Sequence, residues 1–169
     1  RKAGLASAVL YGFSKAKGSI FGVMDADLSH PPEAVIRMFE AMQTTQKNNK
    51  KPDFVIGSRY TKEGKIQGWP LWRMVVSKGA TLLARKFTKA KDPLSGFFMI
   101  RRDCLKEKNF NPKGFKICLD FIINANWKTL KEIPITFKDR SIGKSKANIS
   151  EFYAYLHNIY SYWRQKNGA

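Results

Sequence analysis

Two aspartates one residue apart, Asp25 and Asp27, end an apolar run from Ile20 to Met24, and Ser29, His30, Pro31, Pro32 and Glu33 follow. Side chains alternate along an extended chain, so Asp25 and Asp27 are expected to face the same way if the strand continues through them. Two carboxylates aimed at one place repel unless a cation shares it. Hard oxygen donors of this kind suit Mg²⁺ or Mn²⁺, which are commonly held by one or two carboxylates together with substrate phosphates. The alternative is that one aspartate caps the following helix while the other is exposed. His30 matches no zinc-ligand spacing, and a turn or helix-entry role is expected of it.

The acidic pair is unusual in its setting. The 169-residue chain has 31 Lys and Arg against 13 Asp and Glu, a net charge of +18. Such an excess predicts attraction to something anionic: nucleic acid, an acidic membrane surface or phosphorylated substrates. The length fits one domain, and 43% apolar residues are enough for a core. Cys104 and Cys118 have neither CxxC spacing nor disulfide density, so buried free thiols in strand-like and helix-like settings are expected. No apolar run approaches the ~20 residues that span a bilayer, and no signal peptide is read.

Helices are expected over Gly4–Ala16, from Pro31 onward, and over Leu71–Phe87, Ile117–Trp127 and Glu151–Arg164. Prolines suit the first turn of the second of these. Short strands are expected at Ile20–Met24, Phe54–Gly57, Phe97–Ile100 and Ile133–Phe137, the last at a sheet edge because Pro134 has no N–H. Thr61 to Trp69 and Asp139 to Ala147 read as loops, the first of them mobile. Alternating strands and helices give an α/β layer fold with a partly parallel sheet, in which ligands gather at the carboxyl ends of strands. Asp25 and Asp27 stand at such an end. His157 reads as a surface or packing residue of the last helix.

The blocks "VMDADLSHPPE", "DFVIGSRY", "WPLWRMVVSKGA", "KDPLSGFFMIRRD", "NPKGFKICLDFI" and "EIPITFKDRSIGKSK" occur in that order. Taken together they resemble the dolichol-phosphate (polyprenyl-phosphate) mannosyltransferases of glycosyltransferase family 2. The resemblance implies a GT-A-type, Rossmann-like mixed sheet flanked by helices. It also implies a metal-dependent inverting transfer of mannose from GDP-mannose to dolichyl or polyprenyl phosphate. It assigns the metal, Mg²⁺ or Mn²⁺, to Asp25 and Asp27, with Ser29 as a further ligand where other members carry Gln. Catalytic roles fall to Asp27, Arg59 and Arg73. Phosphate binding falls to Arg59, Arg73, Ser77, Arg140, Ser145 and Lys146, and the acceptor side to Asp92, Ser95 and Gly96. Lys144 stands where an acid is common, which alters the loop's charge.

The chemistry is consistent with that assignment. A lipid phosphate is already ionised near neutral pH and needs cations that hold it in line rather than a strong base. Arginine grips phosphate through a planar fork. The resemblance breaks at the start. The family's opening strand with its P-x-Y-N-E block and two further strand–helix units have no counterpart here, so the fold is expected to be incomplete at its N-terminus. On this reading residues 1–147 form the C-terminal two-thirds of a catalytic domain, and residues 148–169 an aromatic, basic helix suited to a membrane surface. Thr61 to Trp72, with Ile66, Trp69 and Trp72, is a second candidate for lipid contact.

The expected partners are GDP-mannose, the lipid phosphate, the membrane surface and a membrane-anchoring subunit. The expected location is the cytoplasmic face of a membrane, endoplasmic reticulum or plasma membrane according to the kind of cell. Competing readings are a related transferase using UDP-glucose or another donor, a non-catalytic scaffold, and a basic nucleic-acid-binding module. Against the last, the basic residues are scattered over several elements, and the aspartates repel phosphate without a metal. No nucleic acid is therefore expected as a partner.

Overall fold

The computed structural model describes residues 4–46, 49–106, 110, 116–139 and 149–168. Four strands form the central sheet: β1 (Ile20–Val23), β2 (Phe54–Ser58), β4 (Phe98–Arg101) and β5 (Leu130–Pro134), in the order β1-β4-β2-β5. β4 runs antiparallel to both β1 and β2, and β5 is parallel to β2. β1, β2 and β5 therefore end on one side of the sheet, and β4 begins there. The segment entering β4 meets the segments leaving β1 and β2, and everything near the two aspartates follows from this.

Alternation along the strands sorts the core into two layers. Phe54, Ile56, Phe98 and Ile100 pack with Phe21, Ile117 and Phe121 on one face. Val55, Phe97 and Met99 pack with Met38 and Met42 on the other. The first face is covered by helices α1 (Gly4–Lys15) and α4 (Ile117–Asn124), the second by α2 (Ala34–Gln43). β2 is buried along its whole length, as a strand covered on both faces must be. A third cluster, of Ala84, Leu94, Leu119, Tyr155 and Tyr162, joins α3 (Leu71–Ala84), α4 and the final helix α5 (Ile149–Asn167). Tyr155 donates to the Ala80 carbonyl at 2.6 Å and Tyr162 to Asp120 at 2.8 Å.

The partly parallel sheet and the edge position of the Pro134 strand hold among the described strands. Several expectations need correction. Ile133–Phe137 is not one strand: β5 ends at Pro134, and after Ile135 the chain starts β6 (Thr136–Lys138) in a second, two-stranded sheet. Its partner is β3 (Lys65–Gln67), inside the segment expected to be a mobile loop. Three-residue strands carry too little periodicity to be read. Gly64 brings that segment round, and a Cβ on it would lie 2.6 Å from the Arg59 backbone.

The helix after Pro31 begins only at Ala34, because the Pro31 and Pro32 carbonyls take the Ala34 and Val35 N–H groups in a preceding turn. α4 stops at Asn124, where the chain doubles back and the Trp127 indole donates to the Ile122 carbonyl at 2.8 Å. α3 likewise ends at Ala84, three residues short of Phe87, and the last helix is longer than expected. Cys104 lies in a 3₁₀ turn (Arg102–Leu105), not a strand, and both cysteines are buried free thiols.

Among the described residues, Arg59 and Asp92 form a buried ion pair. Arg59 follows β2 and Asp92 lies in the turn before β4; their side chains are 8% and 0% exposed. The guanidinium Nε and Nη2 each donate to one Asp92 oxygen at 2.8 Å, and the Arg59 backbone N–H donates at 2.9 Å. Glu132 on β5 accepts the Lys91 and Asp92 N–H groups at 2.9 and 3.0 Å and so holds the same turn.

Two stability predictions follow from these buried acids. Asp92→Ala leaves a buried arginine without its counter-charge and should cost about 3–5 kcal/mol in urea unfolding; a cost below about 1 kcal/mol would show that the pair does not tie β2 to β4. Burial raises the pKa of Asp120, against the opposing hydrogen bonds from Tyr162 and Asn124. An acid raised in the native state favours folding at acid pH, and that contribution is lost as pH rises from the ordinary carboxylate range through the raised native value. Asp120→Asn should therefore be relatively more stable, compared with the parent chain, at pH 7 than at pH 4. An equal difference at both pH values would contradict this.

Candidate active site

The loop leaving β1 carries both aspartates. Extended geometry ends at Val23, so the two carboxylates are placed by a turn rather than by strand alternation. Leu28 takes φ 60°, a left-handed conformation uncommon for a leucine, and this bends the chain back on itself. The Ser29 N–H and hydroxyl then both donate to Asp27 Oδ1, at 3.1 and 2.5 Å. The Ser29 carbonyl accepts the Lys138 N–H at 3.0 Å, which pins the loop to β6. Ser29 is buried and its hydroxyl is directed at Asp27. It orients that carboxylate, and its oxygen lone pairs stand beside the same acid.

Asp25 lies beside His30, whose Nδ1 is 3.9 Å from Asp25 Oδ2; the two side chains are 46% and 2% exposed. His30 is wedged between Phe97 and Phe137, with ring centroids 5.3 and 5.2 Å away, and its Nδ1 has no hydrogen-bond partner. Burial lowers the His30 pKa, although the Asp25 charge works against this. The ring is accordingly neutral at neutral pH. Gly96 completes this corner: a Cβ there would sit 2.9 Å from Asp25 Oδ2 and 3.4 Å from His30 Cε1. Asp25 keeps its position because residue 96 has no side chain. His30 thus has a packing role in the turn, as expected, together with a contact to Asp25 that its spacing does not reveal.

A divalent cation fits this donor set. Asp25 and Asp27 supply hard carboxylate oxygens. The buried, unpartnered His30 nitrogen lies 3.9 Å from Asp25 Oδ2. No cluster of three or more His, Cys, Asp or Glu side chains suited to a metal occurs among the described residues. Further oxygens would have to come from substrate or water, as is usual for Mg²⁺.

The remaining candidates divide in two. Arg59 does not offer phosphate a free fork. Burial acts to lower its pKa, but the Asp92 charge and the hydrogen bonds to Asp92 outweigh this and leave it raised, so it is a permanent cation committed to Asp92. Asp92 is wholly buried, and Ser95 donates to the Gly57 carbonyl at 2.7 Å while accepting the Phe97 N–H at 3.1 Å. Both are buried and shape the turn that delivers Gly96.

Arg73, in the first turn of α3, is more open. Its Nη1 bridges the Asp139 carboxylate at 2.9 and 3.0 Å, and its guanidinium lies 4.2 Å from the Trp69 ring centre. Ser77, one turn on, accepts from the Tyr60 hydroxyl at 2.9 Å. Arg140, Ser145 and Lys146 lie outside the described residues. Sequence reasoning missed Glu132, Tyr60, Phe137 and Asp139. Only the Trp69–Arg73 spacing, four residues apart at a helix entry, offered a local signal.

Comparison with known proteins follows the same lines. The family model for glycosyl transferase family 2 matches residues 1–108. A dolichol-phosphate mannosyltransferase of Pyrococcus furiosus is 42% identical over 164 residues, covering 95% of this chain and 45% of that protein. Proteins of the same name from Mycosarcoma maydis and Saccharomyces cerevisiae are 38% and 37% identical, each covering 98% of this chain and 56% and 63% of their own lengths. The chain thus spans about half the length of the curated relatives it matches.

Among solved structures, glucosyl-3-phosphoglycerate synthase from Mycobacterium tuberculosis with phosphoglyceric acid matches at a TM-score of 0.58 and 15% identity, over 99% of this chain and 56% of that one. The same enzyme with Mn²⁺, UDP-glucose and glycerol 3-phosphate matches at 0.56 and 15%, over 98% and 55%. That likeness is one of fold and agrees with the GT-A-type mixed sheet. With a family match over most of its length, the chain belongs to glycosyl transferase family 2.

Proposed function

We propose that this chain forms part of a metal-dependent, inverting mannosyltransferase that moves mannose from GDP-mannose to dolichyl or polyprenyl phosphate. The observation that carries the proposal is the placement of Asp25 and Asp27 at the carboxyl end of the sheet, in a chain 42% identical to a dolichol-phosphate mannosyltransferase.

In this reading Asp25 and Asp27 hold Mg²⁺ or Mn²⁺ against the donor diphosphate. The ion, when bound, stabilises the charge that develops on the departing diphosphate. Ser29 keeps Asp27 oriented, and neutral His30 supports Asp25 from behind. Gly96 leaves the space that Asp25 occupies. A lipid-phosphate oxygen attacks the anomeric carbon from the face opposite the leaving diphosphate. The C–O bond to GDP breaks as the new one forms, and no proton need be removed first. Arg73, presented by α3 and steadied by Trp69 and Asp139, is the described cation best placed to serve a phosphate. Arg140, Ser145 and Lys146 are assigned to donor or acceptor phosphate by the resemblance. Arg59 acts as a positioning residue. The enzyme is proposed to work at the cytoplasmic face of a membrane, with a membrane-anchoring subunit as a candidate partner.

Calorimetric titration with GDP, with and without Mn²⁺, tests the donor site. Metal-dependent binding should be lost in Asp25→Ala and Asp27→Ala and weakened about tenfold in Ser29→Ala; binding that ignores both the metal and Asp27 would remove the proposal's basis. A parallel titration with UDP should be weaker, and a tighter one would transfer the proposal to a uridine donor. Gly96→Ala should weaken Mn²⁺-dependent GDP binding by displacing Asp25 while leaving urea stability within about 1 kcal/mol of the parent. Unchanged metal dependence in that variant would show that Asp25 can move without consequence.

A further inference from the structure

Tyr60 stands at the end of a rigid series that starts at the buried ion pair. It follows Arg59 directly, two residues after the end of β2. The Arg59 guanidinium is held by both Asp92 oxygens, and it lies over the Tyr60 and Trp69 rings, 5.3 and 5.6 Å from their centres. Tyr60 thus has a fixed base. Its hydroxyl ends 2.9 Å from the Ser77 hydroxyl, seventeen residues on in α3.

A serine hydroxyl has one hydrogen and two lone pairs. Inside a helix that hydrogen often goes back to the carbonyl three or four residues earlier. Ser77 makes no such bond: among the described residues its side chain is hydrogen-bonded to Tyr60 alone. A phenol is the stronger acid of the two and the better donor, so Tyr60 donates and Ser77 accepts. The Ser77 hydrogen is then left for a third group. The neighbours indicate what that group is. Arg73 stands one turn before Ser77 on the same side of α3. Asp139 takes its Nη1, and the Trp69 ring lies 4.2 Å away, but Nε and Nη2 bond to no described residue. The Trp69 indole nitrogen is also buried without a partner, although buried polar atoms are normally paired. Unused donors beside a cation suit an oxyanion, and a phosphate monoester brings three strong acceptor oxygens to them.

We propose that Tyr60 is a positioning residue for the acceptor: by donating to Ser77, it turns the Ser77 hydrogen toward a phosphate monoester held by Arg73. This rests on the proposed function, in which that phosphate is the acceptor. Tyr60 does not touch the phosphate and acts only through the serine. Without the phenol, the Ser77 hydroxyl falls back on the Arg73 carbonyl one turn earlier, and its hydrogen is lost to the ligand. The Arg59–Asp92 pair then serves both halves of the reaction, through Gly96 on the side of the aspartates and through Tyr60 on the side of α3.

Calorimetric titration of the 169-residue chain with geranyl phosphate, a short prenyl phosphate monoester, tests this through a double-mutant cycle. Ser77→Ala should bind about tenfold more weakly, as for the loss of a hydrogen bond to a charged oxygen. Tyr60→Phe keeps the ring and should bind about fivefold more weakly with an unchanged circular dichroism spectrum. The double variant should match Ser77→Ala to within about twofold, because Tyr60 acts only through Ser77. Ser77→Thr keeps the hydroxyl and should stay within about twofold of the parent. Unchanged affinity in Tyr60→Phe would overturn the proposal. So would losses that multiply in the double variant, since Tyr60 would then act on its own. Inorganic phosphate should bind more weakly with the same pattern; a pattern confined to geranyl phosphate would assign Tyr60 to the prenyl chain and overturn the phosphate role. Mn²⁺-dependent GDP binding, read on the same samples, separates the two readings. Its survival in a parent chain that does not bind geranyl phosphate sinks the Tyr60 role alone. Its absence with the cycle intact supports that role while counting against the donor site.

Discussion

The arrangement around the two aspartates depends on a buried ion pair that touches neither of them. Arg59 and Asp92 are both removed from water, which is unfavourable for each charge alone. The structure offsets this by satisfying both carboxylate oxygens with the guanidinium, adding the Arg59 backbone N–H, and fixing the Asp92 turn through Glu132. The result is mechanical. The end of β2 and the turn before β4 cannot slide relative to each other. That turn carries Ser95 and Gly96, and Gly96 is where Asp25 would otherwise meet a side chain. An ionic contact just after β2 thereby sets the room available to an acid in the loop after β1.

This explains which parts of the site were legible from sequence. The acidic pair stood out because Asp25 and Asp27 interrupt an apolar run in a basic chain. The strands Ile20–Val23, Phe54–Ser58 and Phe98–Arg101 were legible because each is an apolar run bounded by polar residues. Residue type, however, does not name a partner. The resemblance marks Arg59, directly after a buried strand, and Arg73, in a helix, alike as phosphate forks, yet one is closed on Asp92 and the other lies over Trp69 and is paired with Asp139. The hydrogen bonds by which Ser29 holds Asp27 are likewise not named by its position in the sequence. β3 and β6 went unread because three-residue strands owe their existence to each other, across a separation of about seventy residues that no local pattern records.

α3 has two unlike sectors on its surface. Its inward side presents Arg73 and Ser77 to the end of the sheet and packs Ala80 and Ala84 beneath α5. Its outward side would be costly to leave in water, with Leu71, Trp72, Val75 and Leu82 adjacent. A helix folded only to support the site would not need that second side. The absence of any acid from Leu71 to Lys91 is equally informative, since a solvated surface normally mixes the two signs.

The same reasoning bears on the net charge of +18. Scattered cations do little for a catalytic site, because exposed charges farther away than a Debye length of about 8 Å are screened at physiological ionic strength. Within the described residues the site keeps its few cations close: Arg59 sealed with Asp92, and Arg73 stacked on Trp69 and paired to Asp139. The remaining excess gives the surface a net positive field. Charge spread over several elements gains most against an extended anionic surface, where each lysine or arginine contributes separately. Beside the two aspartates, Ser29 holds Asp27 and Gly96 leaves room for Asp25.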